Sequence, residues 1–103
     1  MSDYVYLAQL SVPEEFDRRF NDFYDNRYLP QLLKLPGVRA VSRYRLEWTD
    51  GEKAPEYLAI YEVDSPDVPK SPAWLEASVK SSWAETIRPH LSVRRHAMFR
   101  RLR

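Results

Sequence analysis

Apolar and polar positions alternate along two stretches of the chain, apolar residues run together along two more, and apolar positions recur at helical spacing along two others. Tyr4 to Val12 is aromatic and β-branched, which predicts a first strand. Ser11-Val12-Pro13-Glu14 then has the Ser-x-x-Glu form of a capping box, with proline early, where its missing N–H costs little. A helix is expected next. Phe16, Phe20, Tyr24 and Tyr28 stack at four-residue spacing with Phe23 beside them, and Glu15, Arg18, Arg19, Asp22 and Asp25 take the other face. Pro30 removes a donor and disfavours helical geometry at Leu29, so a kink or break is predicted there. Leu32, Leu33 and Leu35 extend an apolar segment to Pro36-Gly37, which ends it.

From Val38 to Trp48 the period is two, with Val38, Ala40, Ser42, Tyr44, Leu46 and Trp48 on one side and mostly charged residues on the other. Asp50-Gly51 is a turn signal, and Glu56 to Val63 reads as a third strand in a hairpin with the second. The proline-rich stretch from Asp64 to Pro72 reads as an irregular loop. Ser71-Pro72 opens a second helix with Leu75, Val79, Trp83 and Ile87 as its buried stripe, and Pro89 stops it. Leu91 to Arg100 alternates again as a fourth strand.

The order β-α-β-β-α-β is the ferredoxin-like arrangement: a four-stranded antiparallel sheet with two helices on one face. Both strand faces carry large groups, Tyr4, Tyr6, Leu10 and Tyr44 against Val5, Leu7, Leu58 and Ile60. About 25 cal/mol per Å2 is lost wherever such apolar surface stays wet. Pairing of the uncovered faces of two identical chains would hide it, so a homodimer is expected.

Length and composition narrow the function. The 103 residues suit a single domain spanning the whole chain, and 44% hydrophobic with 30% charged content supports a packed core. No run approaches the ~18 apolar residues of a membrane span. The start, Met1-Ser2-Asp3-Tyr4, lacks the basic and apolar stretches of a signal peptide, so a cytoplasmic location is expected. With no cysteine, disulfides, zinc–thiolate sites and thiol nucleophiles are excluded. A net charge of +1 gives little general attraction to nucleic acid or acidic lipid. Beyond Glu85 there is no acidic side chain, while Arg88, Arg94, Arg95, Arg100, Arg101 and Arg103 follow. That basic edge would bind phosphate or, in the simpler reading, keep an exposed strand soluble.

No phosphate loop, G-x-S-x-G elbow or H-E-x-x-H zinc motif occurs, and there are only two glycines. His90 and His96 lie about 20 Å apart along an extended chain, too far for a shared metal. No cofactor and no metal are therefore expected.

Tyr24-Asp25-Asn26-Arg27-Tyr28-Leu29-Pro30, followed by Leu35-Pro36-Gly37-Val38, is the most informative stretch. It resembles the end of the first helix in EthD-like dimeric α+β barrel proteins, where an aromatic-Asp-x-x-His-x-Pro pattern leads to Pro-Gly and the second strand. Arg43-Tyr44 and Arg88-Pro89-His90 resemble further features of that family, the latter of one bacterial branch. The resemblance implies a small cofactor-independent enzyme (isomerase, cyclase, lyase or oxygenase) or a degenerate relative, acting on a small cyclic or aromatic oxygenated compound. Where the family has histidine this chain has Tyr28. A phenol with a pKa near ~10 is a poor base at neutral pH, although it can donate a hydrogen bond to a developing oxyanion.

His90, with an ordinary pKa of about 6.5, is then the acid–base candidate, beside Tyr28 as a polarising group. Arg88 would hold an anionic substrate or stabilise an enolate. Tyr24, Trp83, Arg43 and Tyr44 complete the candidate binding set. Each has a plainer structural role. His90 would finish a helix C-terminus, Tyr28 and Trp83 would be core aromatics, and Arg43 would sit in a cross-strand or interface ion pair. His96 is expected to pack within its strand or at an interface. Haem is not expected, because dimeric barrels that bind it would carry a histidine on the second helix and this helix has none.

Two other functions remain open. One is a non-catalytic ligand-binding or regulatory module using the same pocket. The other is RNA binding, since RRM domains share the element order. The third strand, Glu56-Tyr57-Leu58-Ala59-Ile60-Tyr61, lacks the basic-Gly-aromatic opening that reading needs, so nucleic acid is not expected as a partner.

Overall fold

The four strand-forming stretches pair as one antiparallel sheet in the order β2-β3-β1-β4, formed by β1 (Tyr4–Ser11), β2 (Val38–Arg45), β3 (Tyr57–Val63) and β4 (Val93–Arg100). A computed structural model describes residues 3–103. Met1 and Ser2, and with them the start of the N-terminal stretch discussed above, lie outside the described residues. Helices cover one sheet face: α1 (Asp17–Phe23), α2 (Leu29–Leu32), α3 (Pro72–Lys80) and α4 (Trp83–Thr86). The expected β-α-β-β-α-β order and ferredoxin-like fold are observed. No helix among the described residues is long and apolar enough to cross a membrane.

Register assigns the faces. Tyr4, Tyr6, Ala8 and Leu10 of β1 lie beside Val63, Tyr61, Ala59 and Tyr57 of β3, under the helices. The same β1 residues pair on their other side with Arg100, Met98, His96 and Arg94 of β4. The core gathers here, with Phe20, Tyr24, Leu32, Tyr61, Val63 and Ile87 almost wholly buried. Each such apolar side chain contributes about 1.5–3 kcal/mol by leaving water.

Several local expectations are corrected. Ser11 does not cap the first helix. Its Oγ accepts the N–H of Glu56 at 2.9 Å, and the chain enters α1 through a 3-10 turn (Glu14–Phe16). Pro30 does not break the helical path, because Tyr24–Tyr28 widens into a π-helical turn in which Leu29 N–H donates to Tyr24 O. The wider turn makes room where the proline ring would meet the carbonyl four residues earlier. The second strand ends at Arg45, short of the predicted Trp48, which is 78% exposed.

A register shift between Val38 and Ala40 exchanges the faces of β2. Tyr44, grouped above with Tyr6 and Leu10, therefore stands on the uncovered face beside Leu58, whereas Val41, Arg43 and Arg45 lie under the helices. Just before β2, Gly37 takes φ +87°, and a Cβ there would come within 2.7 Å of Val68. Glycine suits both constraints.

The second helix also differs. Ser71 caps it as expected, accepting the Trp74 N–H. Its buried side, however, is formed by Trp74 and Ala77, while Leu75 and Val79 are 59% and 76% exposed. Ser82, at φ 64°, divides α3 from α4, and a 3-10 turn (Arg88–His90) carries Pro89 into β4.

Candidate functional site

Beneath the divided second helix the layers do not close. Ala8 places only a methyl group on the sheet floor there, and a cavity of about 330 Å3 remains, within the size range of small-molecule sites. Tyr6 and Leu10 of β1, Tyr61 of β3 and His96 of β4 complete its floor, and the π-helical turn supplies Tyr24 and Tyr28. Trp74, Ser78 and Trp83 close the helical wall. Leu75, Val79, Arg88 and Arg94 are exposed and therefore form its rim.

Ring contacts fix these side chains. Tyr28 stacks on Trp83 at 4.3 Å between centroids and an interplanar angle of 16°, and Tyr24 meets both edge-on. Tyr6 stacks on His96 at 5.5 Å and meets Trp74 edge-on. The hydroxyls of Tyr24 and Tyr61 are hydrogen-bonded to each other and fully buried. The Tyr28 hydroxyl lies 3.5 Å from Ser78 Oγ, a long contact that leaves it available to another acceptor.

Burial governs the titration of these groups. It pushes the phenols of Tyr6, Tyr24, Tyr28 and Tyr61 above 10, so all four stay protonated at neutral pH. At Tyr28, hydrogen bonding to Ser78 and Trp74 and the charges of Arg94 and Arg88 partly offset that rise. Burial, followed by the charges of Arg94 and Arg88, lowers the pKa of His96 below its usual 6.5. A neutral imidazole therefore shares the cavity with protonated phenols and two guanidinium groups.

Of the residues selected from the sequence, the structure brings Tyr24, Tyr28, Trp83 and Arg88 to this cavity. His90 is exposed and lies outside it, its ring stacked on Phe16 at 4.0 Å. The 3-10 turn that contains His90 delivers Arg88 to the rim and points the histidine elsewhere. Tyr44 is on the opposite sheet face. Arg43 lies behind Tyr24, with its guanidinium 4.5 Å from that ring's centroid. It bonds Asp25 on the first helical segment at 2.7 Å and Asn21 at 2.8 Å, in place of the expected cross-strand or interface pairing.

His96, Arg94, Tyr6 and Ser78 were not selected from the sequence as site residues. The signal for the first two was the alternation of the fourth strand, where Arg94, His96 and Met98 share one face. Among the described residues no group of three or more His, Asp or Glu is placed to hold a metal ion.

No family model matches the sequence, and no curated protein matches it. Solved structures do match. An EthD-family protein from Bacillus halodurans superposes with a TM-score of 0.69 at 17% identity, covering 96% of this chain and 98% of its own. A provisionally assigned antibiotic biosynthesis monooxygenase from Bordetella bronchiseptica gives a TM-score of 0.73 at 12% identity, with 97% of both chains covered. A haem degrader from Mycobacterium tuberculosis, with two haems bound in its active site, gives 0.66 at 14% identity, covering 97% and 96%.

The helical wall holds no imidazole for haem iron, and the cavity's imidazole, His96, stands on the sheet floor. That wall offers Tyr28, Ser78, Trp74 and Trp83 without an imidazole, and burial opposes the tyrosinate that ligation through Tyr28 would need. At 12–17% identity the likeness extends to the fold alone: the chain has the ferredoxin-like fold shared by these EthD-family and monooxygenase-type structures.

Proposed function

We propose that this chain is a small cofactor-independent enzyme, of the isomerase or lyase kind, acting on a cyclic or aromatic oxygenated compound bound in the helix–sheet cavity. One observation carries the reading: His96, a half-buried neutral imidazole, faces a hollow lined by protonated phenols. A neutral imidazole accepts a proton, and a phenol held protonated donates a hydrogen bond to an oxygen gaining charge. In this proposal His96 removes a proton from a carbon next to a substrate carbonyl. Tyr28 donates to the resulting enolate oxygen; return of the proton at another carbon completes an isomerisation, whereas in an elimination the enolate re-forms the carbonyl and expels the β-substituent, which takes the proton from His96. His90 takes no part, since it lies outside the cavity.

The working unit we propose is a homodimer closed through the uncovered sheet face. Val5, Leu7, Leu58 and Ile60 are only partly buried there, and Tyr44 and Phe99 are each 53% exposed. An apolar sheet face left wet is costly, and a twofold partner presenting the same face would cover it. Sedimentation as a monomer at micromolar concentration would remove the dimer from the proposal.

The test of the chemistry is deuterium uptake. Cyclic and aromatic carbonyl compounds that perturb the His96 and Tyr28 NMR resonances are incubated with the protein in D2O. Mass spectrometry then reads exchange at the acidic carbon. Exchange is expected to fall as pH drops through the lowered pKa of His96, because the neutral form is the base. His96→Gln should reduce it at least ~100-fold while binding persists. Binding without exchange would favour a non-catalytic ligand-binding module. No compound reaching the cavity would overturn both.

A further inference from the structure

We infer that the cavity's ligand is a flat ring acid whose carboxylate sits between Arg88 and Arg94 at the rim, with its apolar body inside against Trp83 and Tyr28. This rests on reading the cavity as a ligand site and names the class of ligand. Ion pairs occupy only some of the chain's cations, and of the others Arg88 and Arg94 line the cavity. Arg39, Arg43, Arg45 and Lys80 each have a carboxylate partner: Asp64, Asp25, Glu56 and Glu76 in turn. Arg88 and Arg94 have neither an ion pair nor a side-chain hydrogen bond among the described residues, although both face one cavity. No aspartate or glutamate lines that cavity, so nothing in its wall neutralises them.

Two guanidiniums lining one cavity without a counter-charge suit a planar anion, which arginine grips through paired hydrogen bonds. The remaining surface restricts what the anion is attached to. Leu75 and Val79 make the adjoining rim apolar, and indole and phenol rings line the interior. About 330 Å3 accommodates one or two fused rings.

Calorimetry with a matched pair of probes tests this: 2-naphthoate and its uncharged amide, 2-naphthamide, titrated into the full chain at pH 7.5. The acid is expected to bind at least ~tenfold more tightly than the amide, the scale of one charge-assisted hydrogen bond. The double variant R88Q/R94Q should abolish that preference, bringing the affinity for the acid down to that for the amide. Rising salt should weaken acid binding to the unaltered chain and not amide binding, which tests the point even if the variant folds poorly. Equal affinities for acid and amide, or acid binding indifferent to both the substitutions and salt, would overturn the carboxylate assignment while leaving the ligand site standing. Binding of neither probe would overturn both.

Discussion

The first helix and the divided second helix lie on the same sheet face, yet one seals its ground and the other leaves it hollow. Beneath the first, Phe20, Tyr24 and Tyr57 pack against one another, and the Arg43 guanidinium lies over all three rings. Arg43 is neutralised by Asp25, and the Tyr57 hydroxyl bonds Asp17. Beneath the second, Arg88 and Arg94 stand unpaired around open space. Both regions are aromatic and arginine-rich, so composition does not separate them. Satisfaction does: under the first helix the charged groups have partners, whereas under the second two cations line open space without one, and the proposed ligand site rests on that difference.

The largest expected effect lies on the sealed side. Phe20→Ala removes a fully buried ring and should cost about 3–5 kcal/mol in urea unfolding. Leu75→Ala at the cavity rim should stay within about 0.5 kcal/mol, because that side chain is already mostly in water. Similar losses from the two would erase the distinction between a packed half and a hollow one.

The arginines sharpen the contrast at smaller scale. Arg43→Ala should cost about 1–3 kcal/mol, chiefly through lost contact with the rings and the abandoned Asn21 oxygen. The ion pair itself adds little, since Asp25 is 55% exposed. Arg94→Ala should leave urea stability within about 0.5 kcal/mol, there being no partner to orphan. A large loss at Arg94 would mean that it supports the fold and does not wait at a binding site.

Element order and the helix-facing rings were legible because burial imposes a period, two along strands and near four along the first helix. Faces and site were less so, for local reasons. A single register shift in β2 moved Tyr44 to one face and Arg43 to the other, and no residue type marks it. Leu75 and Val79 have the spacing of a buried stripe, but the helix turns Trp74 and Ala77 inward because the indole buries more surface. His96 escaped selection because its neighbour is Ala8, far away in the chain, and a sequence does not state which strand its last one will flank. An ordinary imidazole pKa and the Arg88-Pro89-His90 resemblance point to His90 in the sequence, whereas the 3-10 turn directs that ring onto Phe16.

The smallest change expected to be resolved concerns the joint that distinguishes the two helices. The first absorbs its proline with a π-helical turn and stays continuous, whereas the second is cut at Ser82, which holds φ 64°. An L-residue in that conformation costs about 1–2 kcal/mol, and glycine avoids the clash while losing more freedom on folding. Ser82→Gly should therefore raise stability by about 0.5–1 kcal/mol, read as a higher urea midpoint. The joint lets Trp83 and Ala84 reach the cavity from a separate short helix, so easing it should leave probe affinity unchanged. Lower stability in the glycine variant would mean that the serine side chain, and not the backbone turn, holds the two helices apart.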